Sequence, residues 1–243
     1  MRQAMIFAAG LGTRLRPLTD KKPKALVEVG GKPLLEHVIN RLKAAGFERV
    51  VINVHHFAQQ IVDYLKNLHY EGMNIYISDE SEQLLETGGG LRKAAVLFDT
   101  QSPVLIHNVD IFSNVDLCDI YDSTTFSIAT LLVSNRNTNR YLLFDDNMHL
   151  VGWTNVSTGE VRSPYKDLKV ECCHRYAFSG IHVISPSMFE VMKDWPERFS
   201  IIDFYLAVCD KYPIEGYLKS DLRLLDVGKV DTLTEAEHFI AQL

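Results

Sequence analysis

A glycine-rich segment near the amino terminus combines the residue types that bind phosphate. Residues 8–14 read Ala-Ala-Gly-Leu-Gly-Thr-Arg. The two glycines allow backbone N–H groups to approach phosphate oxygens, and Thr13 and Arg14 add a hydroxyl and a guanidinium. Lys24 follows a proline ten residues after Arg14. Arg14 and Lys24 together can hold a polyphosphate, whereas the alternative interpretation is a glycine turn with two solvated cations.

Two common phosphate-binding loops are excluded. A dinucleotide-binding fingerprint requires a third glycine at position 15, which is occupied by Leu15. A P-loop requires Gly-Lys followed by Ser or Thr, but Gly31-Lys32 precedes a proline and Gly228-Lys229 precedes a valine. A phosphate site at residues 8–14 would therefore be of a different type from these two loops.

Apolar runs of strand length alternate with stretches of helical period, which is typical of a parallel sheet covered by helices. The predicted strands are residues 4–8, 49–54, 74–78, 104–107, 127–133, 141–144, 150–153, 176–183 and 224–226. The predicted helices are residues 33–46, 58–65, 87–97, 201–210 and 230–240. The less regular second half predicts a mixed sheet edge. Ligands bind outside the carboxyl ends of strands in such sheets, and residues 8–14, the segment before Gly88 and residues 108–110 all follow predicted strands.

Composition narrows the class of protein. The chain has 243 residues, of which 47% are hydrophobic and 23% charged, as in ordinary globular proteins. Its formal charge of -6 gives no general attraction to nucleic acid or anionic membrane. No apolar run approaches the roughly 18–20 residues of a membrane span, and the four cysteines have neither zinc-site nor disulfide-framework spacing. We therefore expect a reduced, cytoplasmic protein that binds neither nucleic acid nor membrane.

Four motifs, the first of which includes most of the phosphate-binding segment, occur along the chain. They are Gly-Leu-Gly-Thr-Arg-Leu-Arg-Pro-Leu-Thr at 10–19 with Pro-Lys at 23–24, Leu-Glu-Thr-Gly-Gly-Gly at 85–90, Phe-Ser-Gly-Ile at 178–181 and Leu-Asp-Val-Gly at 225–228. In this order they resemble the motifs of the sugar-1-phosphate nucleotidyltransferases, which make nucleoside-diphosphate sugars. The segment at 85–90 looks like the nucleobase loop of the subgroup containing N-acetylmuramate-1-phosphate uridylyltransferase and mannose-1-phosphate guanylyltransferase-like proteins.

The resemblance implies an α/β, Rossmann-like fold with a mixed, mainly parallel central sheet flanked by helices and a smaller sugar-binding lobe. This is the nucleotide-diphospho-sugar transferase fold. Residues 1–243 would form a single domain, with a nucleotide-binding part at 1–110 and a sugar-phosphate-binding part at 111–243. Relatives use a left-handed β-helix for acetyl transfer or allosteric control, and the sequence leaves no room for one after the catalytic domain, so we expect a monofunctional protein.

The resemblance also implies the reaction: a sugar-1-phosphate oxygen attacks the α-phosphorus of a nucleoside triphosphate, and pyrophosphate leaves. A phosphate monoester has a second pKa of about 6, so the nucleophile is ionised at neutral pH and needs no general base. Catalysis would depend on positioning and on charge neutralisation by Mg²⁺, Arg14 and Lys24. Asp110 and Asp226, 116 positions apart, are the expected Mg²⁺ ligands, and Asp110 is also assigned to catalysis with Arg14 and Lys24.

The remaining assignments also follow from the resemblance. The expected nucleotide-binding residues are Ala9, Gly10, Gly12, Thr13, Gln83, Thr87 and Gly88. The expected sugar-binding residues are Asn108, Trp153, Asn155 and Gly180. Two departures from the family pattern predict a different sugar pocket: Val109 replaces the usual glycine before the metal aspartate, and residues 153–160 stand where many relatives carry Glu-Lys-Pro.

The preferred substrates are UTP and N-acetylmuramate 1-phosphate, which would place the protein in cell-wall metabolism. Alternatives are a guanylyltransferase for mannose or heptose 1-phosphate and a cytidylyltransferase for phosphocholine. A different class, a non-catalytic nucleotide-sugar sensor or regulatory subunit, would be favoured by loss of the two aspartates, Arg14 or Lys24, but all four are present. The sequence leaves the oligomeric state open.

Overall fold

The computed structural model describes residues 1–123 and 127–242, and this part of the chain forms a layered α/β structure. Its strands are β1 (Gln3–Phe7), β2 (Glu28–Val29), β3 (Lys32–Pro33), β4 (Arg49–Val54), β5 (Asn74–Asp79), β6 (Val104–Asn108), β7 (Ile111–Ser113), β8 (Ala129–Ser134), β9 (Arg140–Phe144), β10 (Leu150–Asn155), β11 (Glu160–Arg162), β12 (His174–Ile184), β13 (Ile214–Leu218) and β14 (Leu224–Asp226). Its α-helices are α1 (Leu34–Ala44), α2 (Ala58–Lys66), α3 (Glu86–Ala94), α4 (Leu117–Asp122), α5 (Ser187–Val191), α6 (Ile201–Val208) and α7 (Leu233–Ile240).

The main sheet has ten strands. Eight follow the order β11-β10-β9-β12-β6-β1-β4-β5, while β8 pairs with β12 and with β13. Strands β6, β1, β4 and β5 are parallel, and β12 runs antiparallel to β6. The expected mixed sheet flanked by helices is therefore confirmed, with parallel strands in the first half and antiparallel pairing at its edge.

Apolar residues cover both faces of the parallel strands. On one face, α1 buries its apolar positions, which recur at helical spacing: Leu34, Leu35, Val38, Ile39 and Leu42. The other face packs against α3 and α6, where Phe204 and Tyr205 are fully buried. Together the two layers fix the strand ends that carry polar side chains.

The structure contains elements that the sequence pattern did not predict, including β7, β13 and α4. The predicted helix 230–240 begins as a 3-10 turn, Val230–Thr232, and becomes α-helical at Leu233. Strands β7 and β14 form a small antiparallel sheet in which Leu224 pairs with Ser113 and Asp226 with Ile111. Within the described residues, no helix combines the length and apolar character needed to cross a bilayer.

Candidate active site

The main cavity opens at the carboxyl ends of β1, β4 and β6 and has a volume of about 580 Å³. It is lined by residues 7–15, Lys24, Asn53, Leu84, Glu86, Thr87, residues 108–110, Ser200 and Gly228. Nine predicted site residues meet here: Ala9, Gly10, Gly12, Thr13, Arg14, Lys24, Thr87, Asn108 and Asp110. Residues 8–14 and 108–110, which follow predicted strands, therefore lie at the same cavity.

The amino-terminal loop is folded tightly over Lys24. Gly12 has a φ of 64°, and a Cβ there would lie 2.9 Å from Lys24 Cβ and 3.0 Å from Thr19 Cγ2. The Thr19 hydroxyl donates to the Gly12 carbonyl at 2.8 Å, and Leu15 N donates to the same oxygen at 2.9 Å. Glycine is required at position 12 because a side chain would meet both strain and a close neighbour.

Lys24 and Asp110 form an ion pair at the base of the cavity. Lys24 starts a 3-10 turn immediately after the extended Pro23, so its side chain is directed by a rigid residue. Its ammonium donates to Asp110 Oδ2, and the two side chains are only 11% and 17% exposed. Lys24 thus stabilises a carboxylate that has little contact with solvent.

Pairing of β7 with β14 brings the second aspartate to the first. Val227 N donates to the Asp110 carbonyl at 2.9 Å, immediately beyond the pairing of Asp226 with Ile111. A Cβ at Gly228 would lie 2.8 Å from Asp226 Oδ1 and 2.9 Å from Arg14 Nη2, so Gly228 leaves room for both groups. Asp226 and Arg14 therefore share the side of the cavity where Asp110 lies.

Asp226 is exposed and does not itself line the main cavity, but it is bordered by protein atoms, and reduced solvation raises its pKa. The Asp110 charge raises the pKa of this carboxyl further, whereas Lys24, Arg14 and Arg136 lower it. Two carboxylates that repel each other beside this cavity favour the binding of a cation between them.

The two aspartates fit Mg²⁺ as a donor set. Mg²⁺ prefers oxygen ligands and is usually bound by one or two carboxylates together with substrate phosphates and water. Residues 1–123 and 127–242 contain no group of three His, Cys, Asp or Glu side chains suited to a metal ion. Asp110 and Asp226 would hold Mg²⁺ with the remaining ligands supplied by a bound polyphosphate and water.

Asn53 and Glu80 support the cavity but were missed by the sequence reasoning. Asn53 is the penultimate residue of β4, the strand beside β1; its side-chain oxygen accepts from Ala8 N at 2.8 Å, and its amide donates to Glu80 Oε1 at 2.7 Å. Glu80 Oε2 accepts from Leu85 N at 3.1 Å. Burial raises the pKa of Glu80, while the bonds from Asn53 and Leu85 oppose that shift. The position of Asn53 at a strand's carboxyl end was the available signal.

The glycines at 88–90 lie inside α3 and serve packing. Gly88 N and Gly89 N donate to the Phe199 carbonyl at 2.9 and 3.2 Å, so the Gly88 N–H already has an acceptor in the protein, and Gly88 does not line the main cavity. Thr87 does line the cavity, and its hydroxyl oxygen accepts from Ile201 N at 2.9 Å. Gln83 is exposed and lies outside the lining. Of these three predicted nucleotide-binding residues, the structure places only Thr87 at the cavity.

We expect Gly88→Ala to destabilise the protein. A Cβ at this position would overlap the Phe199 ring and lie 3.0 Å from the Phe199 carbonyl oxygen. Overpacking of this kind costs about 1–3 kcal/mol, which lowers the midpoint of thermal unfolding by several degrees. Gly10→Ala is the matched control because a Cβ there has nothing within 4 Å. Equal unfolding midpoints for the two variants would contradict the packing role of Gly88.

The predicted sugar-binding residues divide between three places. Asn108 lines the main cavity, and Gly180, with φ 72°, lies behind it: a Cβ there would be 2.6 Å from Asn108 Nδ2. Trp153 lines a second cavity of about 350 Å³. Asn155 lines neither cavity; its side-chain oxygen accepts from Ser157 N and Oγ at 3.0 and 2.7 Å in the turn after β10.

The second cavity, called the arginine cavity below, adjoins the main one. Its lining contains Arg136, Thr138, Arg140, Leu142, Trp153, Arg162, Phe178, Ser200, Ile202 and Asp203. Ser200 lines both cavities. Val109, the residue that departs from the family pattern, is 4% exposed and lines the main cavity beside Asp110.

Comparison with models of protein families identifies the family of this chain. The model of the family described as "Nucleotidyl transferase" matches residues 3–141, which include Arg14, Lys24 and Asp110. The chain belongs to the nucleotidyl transferase family. Asp226 lies outside the matched segment, so its place beside the matched residues is a finding of the structure.

Two curated members of the nucleotidyl transferase family resemble this one in sequence. The N-acetylmuramate α-1-phosphate uridylyltransferase of Caulobacter vibrioides is 50% identical over 109 residues, which cover 44% of this chain and 45% of that enzyme. The enzyme of the same name from Neisseria meningitidis serogroup B is 35% identical over 188 residues, 77% of each chain.

The fold of this nucleotidyl transferase is also found among solved structures. A putative glucose-1-phosphate thymidylyltransferase from Bacillus anthracis superposes with a TM-score of 0.80 at 16% identity, covering 100% of this chain and 96% of the other. At this identity the similarity establishes the fold.

Proposed function

We propose that this nucleotidyl transferase joins a nucleoside triphosphate to a sugar 1-phosphate, releasing pyrophosphate and forming a nucleoside-diphosphate sugar. The preferred substrates are UTP and N-acetylmuramate 1-phosphate, and the cofactor is Mg²⁺. The observation that carries the proposal is that Arg14, Lys24 and Asp110 line one cavity and that the pairing of β14 with β7 places Asp226 beside them. The similarity to two N-acetylmuramate α-1-phosphate uridylyltransferases supports the choice of substrates.

In this mechanism the protein positions two anions and neutralises the charge that develops between them. The loop at 8–14 holds the triphosphate through backbone N–H groups, and Arg14 binds the pyrophosphate as it leaves. Lys24 contacts the phosphates at the reacting centre once they compete with Asp110 for its ammonium. Asp110 and Asp226 would hold Mg²⁺, which supplies further neutralisation at the phosphate oxygens.

Proton transfer plays little part in this step. The attacking phosphate monoester, with a second pKa of about 6, is already ionised at neutral pH. His107 precedes Asn108 on β6, and burial lowers its pKa to about 3, so its ring is neutral and its Nδ1 donates to the Asn108 carbonyl at 2.7 Å. His107 thus supports the strand end that carries Asn108.

A pyrophosphate-release assay tests the proposal. Each of the four ribonucleoside triphosphates and dTTP is combined with a panel of sugar 1-phosphates and phosphocholine in the presence of Mg²⁺. We expect UTP with N-acetylmuramate 1-phosphate to give the highest kcat/KM, and omission of Mg²⁺ with added chelator to abolish release.

The same panel distinguishes the alternatives. Highest kcat/KM with GTP and mannose or heptose 1-phosphate, or with CTP and phosphocholine, would replace the proposed substrates but keep the reaction class. Absence of release from every pair, combined with nucleotide-sugar binding in calorimetry, would identify a sensor and overturn the proposal.

A further inference from the structure

Unpaired positive charge lines the arginine cavity, although the chain as a whole carries a formal charge of -6. Arg162 is the exception among its three arginines, because it pairs with Asp203 at 2.6 Å and lies 5.6 Å from the centroid of the Trp153 ring. Within the described part of the chain, neither Arg136 nor Arg140 has a carboxylate as an ion-pair partner. Two guanidinium groups in one concave site are thus available for an external anion.

The strands set the positions of these arginines. Arg140 begins β9 opposite Asn155 of β10, and Arg162 pairs with Trp153 across β10 and β11. Arg136 follows β8, and its Nη2 donates to the Phe178 carbonyl at 3.3 Å. Ser200 lines both this cavity and the main one, so the charged cavity adjoins the main cavity.

The rest of the lining is apolar. Leu142, Trp153, Phe178 and Ile202 contribute hydrocarbon and aromatic surface beside the guanidinium groups. A free inorganic anion such as phosphate keeps its hydration and gains little from such a surface. An aliphatic carboxylic acid can place its carboxylate on the guanidinium groups and its hydrocarbon part on the apolar lining.

We propose that the arginine cavity binds a carboxylate on an aliphatic substituent of the sugar 1-phosphate, with Arg140 as a specificity-determining residue. This inference rests on the proposed function, because it requires the phosphate of the sugar 1-phosphate to lie in the main cavity. The sugar then passes Ser200, which lines both cavities, and its substituent enters the arginine cavity. The lactyl ether of N-acetylmuramate has this chemistry, with a methyl group for the apolar wall and a carboxylate for the guanidinium groups. N-acetylglucosamine 1-phosphate, which has a hydroxyl in its place, is the matched neutral substrate.

Steady-state pyrophosphate release with UTP tests the proposal on wild type, Arg140→Ala and Arg140→Lys. We expect Arg140→Ala to raise KM for N-acetylmuramate 1-phosphate about 10- to 100-fold, the loss typical of a charge-assisted hydrogen bond, with kcat within about twofold. The KM for N-acetylglucosamine 1-phosphate should stay unchanged. Arg140→Lys keeps the charge but not the planar fork, so its KM for the acidic sugar should fall between wild type and Arg140→Ala.

Arg175→Ala is the control, because Arg175 is an exposed arginine of β12 that lines neither cavity. It should behave as wild type with both sugars. An equal rise in KM for the two sugars in Arg140→Ala, or no rise for either, would overturn the carboxylate subsite.

A binding measurement separates failure of the subsite from failure of the proposed function. If wild type releases pyrophosphate with neither sugar, calorimetry of each sugar 1-phosphate with wild type and Arg140→Ala decides the question. A wild-type preference for N-acetylmuramate 1-phosphate that disappears in Arg140→Ala supports the subsite even then. Equal affinity of wild type for the two sugars, or a preference that survives the substitution, refutes it.

Discussion

Asp110→Asn is expected to lower kcat for pyrophosphate release by about 10³-fold or more. The amide nearly matches the carboxylate in shape, so Val227 N can still donate to the backbone carbonyl of residue 110 and the β7–β14 pairing is retained. What is lost is the negative charge that pairs with Lys24 and that, with Asp226, would hold Mg²⁺. The far-ultraviolet circular dichroism spectrum should match wild type.

Asp146→Asn provides the matched control. Asp146 is a highly exposed aspartate that contacts His174 at 2.9 Å and lines neither the main cavity nor the arginine cavity. Its kcat should equal that of wild type. Near-normal turnover in Asp110→Asn would remove Asp110 from metal binding and catalysis.

Lys24→Met is expected to lower kcat by about 10²–10³-fold and also to weaken the folded state. Methionine has a comparable length but carries no charge, so Asp110, whose side chain is 17% exposed, loses its cationic partner beside Asp226. Leaving such a group unsatisfied costs about 1–3 kcal/mol, measured as a change in the free energy of unfolding in urea.

The control for this variant is Lys66→Met, because Lys66 forms an exposed pair with Asp63 on α2. Exposed pairs of this kind contribute about 0–1 kcal/mol, so little change in stability or rate is expected. A Lys24→Met protein with wild-type turnover would show that the ammonium has no role at the reacting phosphates.

The strands that carry the phosphate-binding segment were predictable because their apolar runs are buried on both faces. Residues 49–54 and 224–226 were predicted with the bounds that the structure shows, and β1 differs from its prediction by one residue at each end. The rule that ligands bind beyond the carboxyl ends of strands then placed Ala9, Arg14, Asn108 and Asp110 at one cavity. The local hydrophobic pattern and the rule about strand ends were therefore sufficient to predict the part of the site formed by the first half of the chain.

The meeting of the two aspartates depends on an element that the sequence did not reveal. Strand β7 has three residues, too few to show an alternating pattern, and it forms because β14 pairs with it from more than a hundred positions away. The family resemblance named Asp110 and Asp226 as partners, but only long-range pairing shows how they are joined.

Spacing also says little about which side of a helix faces a ligand. Gly88 follows a cavity residue directly, yet it packs on Phe199, and Asn155, the last residue of β10, uses its side chain to stabilise the turn that follows. Ser200 and Arg136 come from segments without a motif, so their position was visible only in the folded chain. The arginine cavity is assembled from the segment between β8 and β9, from β9, β10, β11 and β12, and from α6 with the residue before it, so it has no contiguous sequence signal.

The three-residue ladder between β7 and β14 also couples ligand binding to chain docking. This ladder holds Asp226 beside Asp110, so a cation bound by both carboxylates, as proposed above, would favour the docked position of the carboxy-terminal segment. By reciprocity, whatever holds that segment in place would raise the affinity for such a cation. Cation binding at this proposed site and local unfolding of β14 would then be opposing sides of one equilibrium.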